Sequence, residues 1–258
     1  MLDQEAYNSP IAPQSKADAA EKALRDAIVH CVLEPAARLS EAELSSEFAF
    51  GRGAVRAALA RLQAGGFVSS TARSGWHVTP VSAQEIREVS AARRQLEPLL
   101  CNVSLSPVDR ATLHRLAEMQ MALMQRHDLG HNSLSTIRRC ERDMLQTLAA
   151  RLTMPIVLGW LSDLWDRSVR LVNFFEASGS EKLVPASRWQ FVEALIEGRR
   201  ADASSHLAGA NAALETYLLD RFLQSEAMVG AFPPARLAEK KNNVHSVSDA
   251  TSNIRTTR

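Results

Sequence analysis

The chain has 258 residues, a formal net charge of +1, and side chains that are 46% apolar but only 5% aromatic. That length holds two ordinary domains, and so balanced a charge excludes a general attraction to polyanions, so that any affinity for nucleic acid must come from a local patch. The longest apolar run, Leu152 to Leu161, is too short for a membrane span, and the first twenty residues lack the apolar centre of a secretory signal, while Cys31, Cys101 and Cys140 are too scattered for a disulfide framework or a zinc site. A cytoplasmic protein with free thiols is expected.

In chain order, residues 1–17 are polar and aperiodic and are expected to be a flexible segment. A helix follows from about Asp18 to Leu33, with Leu24, Ile28 and Cys31 or Val32 inward. Ser40 with Glu43 three residues on spells a capping box, which opens a short helix to about Phe48. Phe50-Gly51 then turns into a third helix, where Val55, Leu59 and Leu62 recur at helical spacing. Arg52 and Arg56, one turn apart, share the exposed side near its start. Gly65-Gly66 ends that helix, and two strand-like stretches follow, Phe67–Ser70 and Trp76–Thr79, joined by the turn Arg73-Ser74-Gly75. Three helices and a hairpin make a winged helix-turn-helix, with the third helix in the major groove and Arg73 on the wing tip.

The charge pattern agrees with that reading. Between Phe48 and Ser82 the chain carries Arg52, Arg56, Arg61 and Arg73 and no acidic residue. An arginine-bearing helix taken alone is more often a solvated face. Here the neighbouring elements favour guanidinium forks aimed at phosphate oxygens or guanine edges.

From residue 82 onward the pattern is helix after helix. Ser82 and Glu85 form another capping box, and Ile86, Val89, Leu96 and Leu100 lie on one side of the helix it opens, where Pro98 predicts a kink. Ser106-Pro107 starts a second, with Leu113, Leu116, Met119 and Leu123 inward. A third covers about Ser135 to Arg151, and a fourth starts at Pro155 and buries Trp160, Leu164, Val169 and Val172. A fifth spans about Pro185 to Gly198, and a sixth carries Leu207, Ala210, Leu214, Leu218 and Phe222. The expected fold is mainly α: a winged helix-turn-helix over residues 18–81, then an antiparallel bundle of about six helices over 82–228. A polar tail over 229–258 is expected to be disordered.

The order Leu39, Ser40, Glu41, Leu44, Arg52, Val55, Arg56, Ala58, Leu59, Arg61, Leu62, Gly66, Val68, Gly75 and Val78 is similar to the GntR family of bacterial transcription regulators. The resemblance covers residues 18 to 82. It implies DNA contacts from Ser40, Gly51, Arg52, Gly53, Arg56, Arg73 and Gly75. Where the family usually reads Ser-Arg-Thr-Pro-Val-Arg-Glu-Ala-Leu, this chain has Gly51, Gly53, Ala54 and Ala57. Two hydroxyl contacts and the proline that preorganises the helix start are therefore missing, and the glycines loosen the helix entrance by about 1 kcal/mol each where they lie inside it.

Ser82, Glu85, Ile86, Arg93 and Leu96-Glu97-Pro98 resemble the start of the all-helical effector domain of the FadR-like branch. Much of that branch holds a divalent metal in the bundle core through one aspartate and three histidines, and an organic acid binds the metal. Aligned on Pro155, Ala194 and Ala203, those places fall at Glu141, Leu145, Arg188 and Ala210. Leucine and alanine cannot ligate and arginine repels a cation, so neither metal nor other cofactor is expected. Arg93 and Glu141 nonetheless share faces with core residues, and Arg188 sits one turn before Val192. Two readings stay open: buried Arg93–Glu97 or Arg188–Glu141 ion pairs, or a cavity where Arg93, Glu141 and Arg188 bind a small anionic effector.

The function these features imply is a homodimeric, ligand-responsive regulator, a repressor, on an inverted-repeat operator in double-stranded DNA. The alternative is an enzyme acting on a small organic acid in the helical domain. Against that alternative, the sequence has no activated nucleophile, paired acid and base, or phosphate-binding glycine loop.

Overall fold

The computed structural model describes residues 15–71, 75–126, 131–179 and 181–231. Helix α1 spans Lys16–Val29, and its start is a complete capping box: Ser15 accepts from the Asp18 backbone while Asp18 accepts from that of Ser15. The helix thus begins inside the segment expected to be flexible, because the Ser15–Asp18 cap satisfies its first amides. It also stops earlier than expected, where Cys31 turns to a positive φ of 56°. Helices α2 (Glu41–Glu47) and α3 (Arg52–Ala64) follow, then strands β2 (Val68–Thr71) and β3 (Gly75–Val78). Strand β1, Arg38–Leu39, adds a third member to the sheet, in the order β1-β3-β2, with Arg38 opposite His77 and Leu39 opposite Trp76. Two residues cannot display an alternating pattern, so β1 owes its existence to the free edge of β3.

Leu24, Ile28, Val55, Leu59, Leu62, Phe67 and Val78 are completely or almost completely buried together in one core cluster. Gly65 caps α3, and Gly66 takes the positive φ of 72° that redirects the chain into β2.

The remaining helices are α4 (Ala83–Leu96), α5 (Pro107–Met124), α6 (His131–Ala149), α7 (Pro155–Ser178), α8 (Arg188–Ile196) and α9 (Arg200–Ala231). The bundle is the one expected. Its main core gathers Leu100, Leu113, Leu148, Leu161, Phe191 and Leu207. The kink at Pro98 is a change of helix type, since α4 passes at Glu97 into a 3-10 helix ending at Asn102. Helix α9 continues through Ala231, three residues into the expected tail, and residues 232–258 lie outside the described part.

Several faces differ from the periodic expectation. On α5 the buried positions are Asp109, Leu113, Ala117 and Gln120, while Met119 is exposed. Gln120 takes the inner place because its side chain closes the start of α8, accepting from the Trp189 amide at 2.8 Å and donating to the Ala186 carbonyl at 3.3 Å. On α7, Trp160 is 56% exposed, and Leu161 and Trp165 are buried in its place. Two capping boxes are only half made. Ser40 and Ser82 each accept from the amide three residues on, but the Glu43 side chain makes no return bond and Glu85 is drawn away to Arg170 at 3.0 Å. A nearby guanidinium outcompetes a backbone amide for a carboxylate.

Candidate functional site

The DNA-facing candidates cluster at the entrance to α3. Gly51 is its N-cap and supplies no side-chain bond; Arg52, Gly53 and Arg56 are exposed on the first two turns. Arg56 is not a bare cation. Its Nη2 donates to Glu41 Oε2 at 2.7 Å and its Nε reaches both carboxylate oxygens at 3.1 Å. Trp76 of β3 donates its indole N–H to the same carboxylate at 3.2 Å. Glu41 therefore ties α2, α3 and the wing together, and its bond to Arg56 holds its carboxyl below the ordinary range despite slight desolvation.

Arg61 serves a different purpose. It donates to Asp18 at 2.6 Å and Glu21 at 3.2 Å, anchoring α3 on α1. Ser40 is occupied as the cap of α2, and Gly75 opens β3 with φ 76°, a conformation that favours glycine. Arg73 lies outside the described residues.

The second site is a cavity of about 100 Å³ inside the bundle. Arg93 of α4, Glu141 of α6 and Arg188 of α8 all line it, and so do Leu145 and Ala210. The four positions carried over from the resembling branch thus converge on one space. The arginines on this wall are also paired, as the ion-pair reading expected. Arg93 donates to Glu97 at 2.8 Å and Arg188 to Glu141 at 2.7 Å, and both arginines are almost completely buried. Glu97 also accepts from Trp165 Nε1 at 2.8 Å and from Asn211 at 2.7 Å. Burial pushes the Glu97 carboxyl up, but Arg93 and Arg188 outweigh it and hold the group below the usual range.

Two further arginines line the cavity that sequence reasoning did not single out, Arg138 and Arg142 of α6. With Glu141 and Leu145 they form one helical face at spacings of three, four and seven, the signal that could have found them. Arg138 is gripped by Glu176 at 2.5 Å and Arg142 by Asp166 at 2.8 Å. Despite these partners, Arg138 Nε, Arg142 Nε and Arg188 Nη1 are buried with no hydrogen-bond acceptor among the described residues. Orphaned guanidinium N–H groups around a cavity favour a ligand that brings acceptors. Val169, Val172, Leu183 and Leu214 supply apolar wall.

A divalent metal does not fit this donor set. Glu141 is the one carboxylate on the wall among the described residues, and Arg188 already neutralises it. Ser168, the wall's hydroxyl, accepts from Arg93 at 2.9 Å and donates to the Leu164 carbonyl at 2.8 Å, so no base activates it.

Residues 16–78 match the family described as bacterial regulatory proteins, gntR family. Residues 16–78 therefore carry a GntR-type domain. Among curated relatives, an uncharacterized HTH-type transcriptional regulator, BphR of Paraburkholderia xenovorans strain LB400, is 38% identical over 84 residues, 33% of this chain and 34% of that protein. The HTH-type transcriptional repressor RspR of Escherichia coli K12 is 27% identical over 141 residues, 49% of this chain. The chain thus spans 34% of BphR and 62% of RspR, less than two thirds of either relative's length. Among solved structures, E. coli McbR/YncC superposes with a TM-score of 0.63 over 82% of this chain and 99% of its own, at 22% identity. A GntR regulator from Rhodococcus sp. RHA1 gives 0.50 over 84% and 99%, at 20% identity. These likenesses extend the shared fold beyond the GntR domain into the helical bundle.

Proposed function

We propose that this chain is a ligand-responsive transcription regulator that binds an inverted-repeat site in double-stranded DNA as a homodimer. Residues 18–81 serve as the DNA-binding domain and 82–228 as the effector and dimerisation domain. The observation that carries this reading is the GntR-type fold with Arg52 and Arg56 exposed at the start of its third helix. Arg56, held by Glu41, presents a fixed fork to a phosphate or a guanine edge, with Arg52 one turn nearer the helix start. The gap left by Gly51 and Gly53 allows backbone amides to approach phosphates directly. RspR's designation as a repressor supports the same sign of regulation here.

The effector is a small anion with an apolar body. Arg138, Arg142 and Arg188, each with a buried N–H that has no acceptor among the described residues, line a space large enough for about seven to ten water-sized units, with aliphatic walls. A helical-domain enzyme finds less support, because every charged group on the wall is already committed to an ion pair. Two measurements test the proposal. Selection from random duplexes should yield an inverted repeat, and Arg52→Ala or Arg56→Ala should weaken binding to it about ten- to a hundredfold without loss of helical content. Unchanged affinity in both variants would overturn the groove assignment. Benzoate serves as the effector probe: it should quench Trp165 in the wild-type protein and not in Arg188→Leu.

A further inference from the structure

Helix α7 is the partition between the cavity and the winged helix. Val169 lines the cavity and also packs against the N-terminal core. Asn173 lines the cavity and donates its side-chain N–H to the Val29 carbonyl, at the last turn of α1, at 2.9 Å. Two turns before Asn173, Asp166 divides its carboxylate. Its Oδ1 accepts from Arg142 of the cavity wall at 2.8 Å, and its Oδ2 faces Arg25 of α1 at 3.4 Å. Positions 166, 169 and 173 form one stripe at helical spacing, with the ligand space on one side and the DNA-binding unit on the other.

Arg25 is the receiving end of this stripe. It bonds Asp163 at 2.9 Å, and its guanidinium lies 4.5 Å from the centre of the buried Phe67 ring that begins the wing. Arg167 lies 4.6 Å from the same ring and donates to the Gly65 carbonyl at the end of α3. A change in how tightly α7 holds Arg25 therefore reaches α1 and the base of the recognition helix and wing.

We propose that Asp166 is the coupling residue, transmitting occupancy of the cavity to the winged helix by exchanging Arg142 for Arg25. The proposal rests on the cavity being the effector site. An anion in the cavity competes with Asp166 for Arg142, whose Nε already lacks an acceptor among the described residues. As Arg142 turns to the anion, Asp166 is left with Arg25 alone, and the longer of its two contacts shortens. The winged helix is then held more tightly to α7, and the freedom that lets two copies adjust to an operator's half-site spacing is reduced. The ligand's differential interaction with the two states is the energy that shifts the equilibrium.

A double-mutant cycle on the full-length protein tests this without any ligand, read by hydrogen exchange of the α1 amides. Arg142→Ala imitates the occupied cavity and should slow exchange in α1, whereas Asp166→Asn should speed it, each about two- to fivefold, as expected of partly exposed ion pairs. In the Asp166→Asn background, Arg142→Ala should have no further effect. Arg142→Gln replaces Arg142→Ala if the latter loses its circular dichroism signature. Additive effects of the two substitutions, or α1 exchange indifferent to Arg142, would overturn the relay. Such a failure is separable from failure of the effector reading, since benzoate quenching of Trp165 reports occupancy of the cavity and not its transmission.

Discussion

Glu97 shows how much one buried carboxylate can organise. It has no exposed surface, and it accepts from Arg93, Trp165 and Asn211, with Arg188 Nη1 3.9 Å away. Removing one partner of a buried pair leaves the other charge uncompensated, so Glu97→Gln should destabilise the fold by about 3–5 kcal/mol near pH 7. The pH dependence has a definite sign. The folded carboxyl sits below its ordinary value of 4.5, so the unfolded chain binds more protons across that interval. The stabilisation is complete above about pH 4.5 and is lost as pH falls through the folded value. Urea unfolding at pH 7 and pH 3.5 should therefore show the gap between wild type and Glu97→Gln narrowing in acid; a constant gap would count against a charged Glu97. At the same scale, Gly53 has no neighbouring atom within 4 Å of where a Cβ would stand, and it lies in the first turn of α3. Gly53→Ala should raise stability by about 0.5–1 kcal/mol, seen as a higher urea midpoint at unchanged slope.

Among the elements, α7 carries the most functions. Its middle turns wall the cavity and hold the winged helix, while its first two turns rest on the main core through Val157 and Leu161 and leave their other face to solvent. Met154, Ile156 and Trp160 are exposed there beside Gly159, around which a Cβ would meet nothing within 4 Å. An uncharged, exposed helix face of this kind is a liability for a monomer and suits a helix-to-helix contact across a two-fold axis. Ile156→Glu with Trp160→Glu should convert the expected dimer to a monomer by light scattering at micromolar concentration, with its helical content retained. Wild-type protein that is itself monomeric under those conditions, with and without DNA, would remove the dimer from the proposed function.

At the scale of the whole molecule, the charge of +1 conceals a division of labour. The arginines proposed to meet DNA are exposed at the start of α3, whereas those lining the cavity are paired with carboxylates. Ionic or polar ties run from α7 to the N-terminal unit from Asp163, Asp166, Arg167, Arg170 and Asn173. Because DNA affinity depends on the local patch, Arg56→Ala should lower the slope of log affinity against log salt by about one if Arg56 pairs with a phosphate. An unchanged slope with lost sequence discrimination would place it on a base edge.

The order of elements and most helix starts were determined by the sequence alone, because a cap and a 3.6-residue period are local properties. Ser40, Ser82 and Ser106 each opened the helix that their spacing predicted, and Gly65-Gly66 closed α3. The cavity's position was partly legible too, since Arg93, Glu141 and Arg188 arrive on one wall. Tertiary structure decided what each charge does. It added Arg138 and Arg142 to that wall, gave Arg56 to Glu41 and Glu85 to Arg170, put Gln120 in the core in place of Met119, and left Trp160 in solvent. A long polar side chain takes its partner from whatever helix packs beside it, and that neighbour is set by the fold of segments far apart in the chain, which no local pattern records.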